Sequence, residues 1–69
     1  MELTNEEKKA IIMQHYKSSV ENAFNIQLNI IEENASPTPN QETISALNSN
    51  LAIERSKQKA LSDQLDLLK

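Results

Sequence analysis

ENASPTPNQET, residues 33–43, decides the shape of this chain. The 69 residues include no glycine, and both prolines, Pro37 and Pro39, stand in this one stretch. A residue that precedes proline is pushed out of helical geometry, so Ser36 ends any helix arriving from upstream. Downstream, Thr38 is a good N-cap, Pro39 suits a first helical position, and Gln41 has the spacing of the second member of a capping box. One proline stops a helix and the other starts the next. A connection of roughly three or four residues between two long helices reads as an antiparallel helical hairpin.

Upstream, LTNEEKKA at residues 3–10 is a helix start. Thr4 and Glu7 have capping-box spacing, and Glu6 and Glu7 sit where the helix dipole favours negative charge. The apolar pattern continues to about Ile31 and frays by Asn34. The chain therefore predicts one all-α domain over residues 1–69, with a helix over about 4–34, a turn over about 35–38 and a helix over about 39–68. Each helix of about 30 residues would be about 45 Å long. One continuous kinked helix is the alternative, and two prolines flanked by two caps argue against it.

Missing residue types exclude whole classes of function. Without glycine there is no phosphate-cradling loop and no dinucleotide fingerprint. Tight strand turns, which rely on positive φ, are disfavoured for the same reason. The chain has no cysteine and one histidine, His15, so neither a thiolate nor a histidine-rich metal site is expected. No cofactor is implied. Ten acidic and seven basic residues leave a net charge of −3, which disfavours non-specific binding to nucleic acid. The longest apolar run, Ala10-Ile11-Ile12-Met13, is far short of a membrane span of about 20 residues. No signal-peptide core follows Met1, so the expected setting is cytoplasmic, in a cell or a virus-infected cell.

A core of this size rarely contributes more than about 3–5 kcal/mol of net stability. With disulfides and metals excluded, the remaining staple is another chain. The apolar pattern agrees. On the second helix Ile44, Leu47, Leu51, Glu54, Gln58, Leu61, Leu65 and Leu68 follow the 3–4 spacing of a coiled-coil seam, polar at its middle. On the first helix Met13, Tyr16, Val20, Phe24, Gln27 and Ile31 form the matching stripe, with Ala23 beside it. Ile12, Ile26 and Ile30 fall about 80–120° to one side and call for a third or fourth helix against them. A dimer of hairpins forming a four-helix bundle, or a higher homo-oligomer, supplies it. Residues 22–31 and 43–53 carry no charge, as the centre of an interface would. Their polar side holds Asn22, Asn25 and Asn29, which suit hydrogen bonding to a partner.

If the turn lies near residue 37, facing residues have numbers summing to about 74. Tyr16, Glu54 and Gln58 then form one buried polar layer, with His15, Arg55 and Lys57 at its rim. Such layers fix register and oligomeric state. Acid–base chemistry there lacks a second carboxylate or a serine placed by sequence beside His15, so no catalytic residue is expected. The function expected is a non-enzymatic, self-associating module that binds another protein as an adaptor, inhibitor or assembly factor. A virus-encoded accessory protein is one form of it. The alternative is a small nucleic-acid-binding hairpin dimer, which the acidic residues mixed among Lys8, Lys9, Lys17, Lys57 and Lys59 work against.

Overall fold

A computed structural model describes residues 2–68. Two helices, α1 over Asn5–Asn34 and α2 over Gln41–Leu67, return on one another as a hairpin, and the described residues contain no strand. The molecule measures 55 × 18 × 14 Å, a rod one helix pair thick. Most helical stability in a protein comes from packing of an amphipathic face, and the face that the two helices share supplies it here.

α1 begins with the reciprocal capping box. Glu7 N donates to Thr4 Oγ1 at 3.1 Å, and Thr4 N donates to Glu7 Oε1 at 3.0 Å. The backbone and hydroxyl of Thr4 both stabilise the ionised Glu7, whose pKa lies below the usual carboxylate range.

The turn differs from the sequence expectation. Asn40, not Thr38, caps α2, and Pro39 stays in the connection. Asn40 Oδ1 accepts from Glu42 N at 2.9 Å and Thr43 N at 3.1 Å. Asparagine reaches both free amides with one oxygen, and Asn40 has the extended backbone a cap requires. Thr38 instead donates its amide to Ser36 Oγ at 3.3 Å. The carboxylate of Glu33 crosses the turn and accepts from Asn40 N at 2.8 Å. A negative charge is unfavourable at the end of α1 but favourable at the start of α2. No described residue has positive φ, so the reversal proceeds without the left-handed residue that often ends helices. Side chains of Glu33, Ser36 and Asn40 satisfy the amides instead.

The covered face of α2 carries Ile44, Leu47, Leu51, Glu54, Gln58, Leu61 and Leu65 and continues to Leu68 at the C-cap, all buried or half-buried. The covered face of α1 carries Ile12, Tyr16, Ser19, Ala23, Ile26 and Ile30. Both sets repeat at alternating intervals of three and four, which keeps two helices in contact along their length. Among the described residues Leu51 is the one buried apolar residue, at 9 % exposure. Fully covering a leucine contributes about 1.5–3 kcal/mol, so most of the hairpin's apolar potential is only half used.

Candidate functional site

Halfway along the hairpin the packing becomes polar. Ser19 and Glu54 are the most deeply covered side chains described, at 4 % and 7 % exposure. Ser19 Oγ lies 3.1 Å from both the carbonyl oxygen and Oε1 of Glu54, which share its one proton. Lys57, one turn on from Glu54, donates its ammonium to Glu54 Oε2 at 3.0 Å. Asn22 Nδ2 approaches Oε1 at 3.5 Å, and Gln58 Nε2 donates to the Ser19 carbonyl at 3.4 Å. Every buried side-chain nitrogen and oxygen described has a partner. Burial cannot be repaid here by Coulomb attraction alone, and the full set of hydrogen bonds is what makes a covered carboxylate tolerable. The Lys57 hydrogen bond holds the Glu54 pKa below the usual carboxylate range, against desolvation and with help from Ser19 and Asn22.

The expected layer of Tyr16, Glu54 and Gln58 is thus corrected in one member. Tyr16 is half-buried and its side chain makes no hydrogen bond within the described hairpin, and Ser19 takes its place. Serine was the residue the sequence reading missed. Its signal was present: Ser19 lies one residue from the position opposite Glu54, and a buried carboxylate needs a donor that Val20 lacks.

The same shift corrects the two stripes of α1. Met13, Val20, Phe24 and Ile31, expected in the hairpin seam, are exposed at 50, 43, 58 and 62 %. Ile12, Ile26 and Ile30, expected at an intermolecular interface, instead lie on the half-covered face toward α2. The polar residues of α2 select this phase, because only it brings Ser19 to Glu54. The outward stripe Met13, Lys17, Val20, Phe24, Gln27 and Ile31 lies about 100° around α1 from the covered one.

The two sides of the hairpin therefore differ. One side carries a shallow groove of about 550 Å³ bordered by His15, Ser18, Ser19, Asn22, Glu54 and Lys57, with Ala60 and Leu61 adding apolar surface to its wall. It continues past Asn25 and Asn50, while Asn29 is exposed beyond it. Chemically this groove offers amides and one ion pair whose members satisfy each other. Among the described residues no group of three or more histidine, aspartate or glutamate side chains is placed to hold a metal ion. The other side carries the outward apolar stripe, with an apolar hollow between Ala10, Met13, Tyr16 and Val20. No described helix is long and apolar enough to cross a membrane.

The chain matches no family model, and neither the curated proteins nor the solved structures contain a match to it. The functional reading therefore rests on the two faces just described.

Proposed function

We propose that this chain is a non-enzymatic helical interaction module that self-associates and binds another protein. One observation carries the reading. Four large apolar side chains, Met13, Val20, Phe24 and Ile31, stand exposed in a row on α1, while one apolar residue among those described, Leu51, is buried. An apolar row of this length is worth more covered than wet, and two helices cannot cover it.

The polar layer supports a structural rather than a catalytic role. Glu54 is held ionised and saturated with donors, so it is a poor general acid, and the Ser19 proton is committed to Glu54. Nucleic-acid binding is the weaker reading. Lys9, Lys57 and Lys59, half of the cations among the described residues, stand beside Glu6, Glu54 and Asp63, whose negative charge lowers the local potential that phosphate would meet.

Thermal unfolding followed by circular dichroism over a wide range of chain concentration tests the proposal. A Tm that rises with concentration is the signature of folding coupled to association. A Tm independent of concentration would overturn the self-association in it.

A further inference from the structure

The outward stripe of α1 has an internal symmetry. Met13, Lys17, Val20, Phe24, Gln27 and Ile31 are spaced four, three, four, three, four, which reads the same in both directions about position 22. The chemistry is matched as well as the spacing. Met13 and Ile31 are equidistant from the midpoint, as are Val20 and Phe24. So are Lys17 and Gln27, the two polar residues of the stripe. We infer that the occupant of this stripe is the same stripe of a second copy, antiparallel and related by a two-fold axis at position 22.

In that register Val20 packs against Phe24 of the partner subunit, and Met13 against Ile31 of the partner subunit. The Lys17 ammonium meets the side-chain carbonyl of Gln27 of the partner subunit, a hydrogen bond from a charged donor to a neutral acceptor. Each pairing occurs twice, as a closed isologous interface requires. Lys17 has no ion pair within the described hairpin that would compete. A parallel arrangement would stack Lys17 on Lys17 and leave both Gln27 side chains facing each other.

The surface area favours a second copy of this size. The chain exposes 5336 Å². A compact monomer of 7.8 kDa exposes about 4,400 Å². The excess of about 1,000 Å² is comparable with the roughly 800 Å² that each partner buries in a standard interface. The stripe spans about 27 Å, long enough to supply such a contact. The geometry is also that of a bundle, since the stripe lies about 100° from the covered face, near the right angle between a helix and its two neighbours in a four-helix bundle. Helix α2 is not the alternative occupant. On that side of the hairpin it presents Asn48, Ala52, Arg55, Lys59 and Ser62, which offer no apolar row to meet Val20 and Phe24.

This inference rests on the self-association proposed above, and one experiment separates the two. The chain has no cysteine of its own, so single cysteines report contacts cleanly. Full-length Lys17→Cys and Gln27→Cys chains, one of them uniformly labelled with nitrogen-15 so that the three disulfides differ in mass, are mixed, oxidised and resolved by mass, with sedimentation of the reduced chains in parallel. The expected result is at least a tenfold excess of the mixed disulfide over either homodimeric disulfide. Val20→Cys mixed with Phe24→Cys should behave alike, which guards against a failed first pair. Homodisulfides in excess, or no preference among associated chains, would overturn the antiparallel stripe while self-association stands. Monomers at every concentration would overturn both.

Discussion

Ser19 and Glu54, on opposite helices and 35 residues apart, share two contacts of 3.1 Å, from one hydroxyl to a carboxylate oxygen and a carbonyl. This pair sets the phase of the hairpin. α1 has two stripes that differ by one residue in register, and the bulkier one, through Val20 and Phe24, would cover more apolar surface. It would also leave Glu54 buried against valine. A buried carboxylate with one oxygen left without a donor costs more than an exposed phenylalanine, so α1 turns its serine inward and its phenylalanine outward.

Removing the Ser19 donor tests this directly. Ser19→Val should lower Tm by roughly 5 °C or more despite adding apolar surface, because the carboxylate loses the nearer of its two inter-helix donors. The double variant Ser19→Val with Glu54→Leu should recover much of the loss, which thermal unfolding of the three proteins would show. Equal loss in the single and double variants would remove the pair from its role in setting the phase.

Acid should weaken the fold, with a definite sign. Glu54 and Glu7 both have pKa values held below the usual range in the folded chain. A group with a lowered folded pKa contributes stability above its unfolded pKa and loses it as pH falls through the folded one. Stability should therefore begin to fall as pH drops to about 4.3, the ordinary glutamate value, and continue falling below it. Denaturant titrations at successive pH values should show a shallower acid limb for Glu54→Gln than for the parent chain.

At the turn, the cap assignment separates two neighbouring residues. Asn40→Ala should cost about 1 kcal/mol, the usual loss for a helix N-cap. Thr38→Ala should stay within about 0.5 kcal/mol, as surface substitutions away from such features do. Urea midpoints of the two variants distinguish this cap from the Thr38 cap that the sequence suggests.

These contrasts show which parts of the fold were legible beforehand. The helical hairpin follows from Pro37, Pro39 and the Thr4–Glu7 box, because proline and capping chemistry act locally and leave local marks. The covered face of α2 follows its own spacing, since Ile44 through Leu68 form a single stripe. α1 was ambiguous because Ile12, Ile26 and Ile30 compete with Met13, Val20, Phe24 and Ile31 for one face. Hydrophobicity favours the second set. The choice is made across the hairpin, by the donor that Glu54 requires, and no window along α1 alone contains that information. Asn40 displaced Thr38 for a similar reason: both are good caps, and the Glu33 carboxylate from the other helix accepts the Asn40 amide.

The proposed self-association rests on the exposed stripe, and sedimentation equilibrium tests it most directly. The parent chain, Phe24→Glu and Ile26→Glu would be compared over a wide concentration range, with circular dichroism on the same samples. The parent chain should sediment as a dimer or larger assembly. Phe24→Glu should sediment as a monomer at concentrations where the parent is associated, because the charge falls on the outward stripe. Ile26→Glu should lose helix at every concentration, because its charge falls between α1 and α2. A parent chain that stays monomeric throughout, or a Phe24→Glu variant that associates as the parent does, would contradict the account.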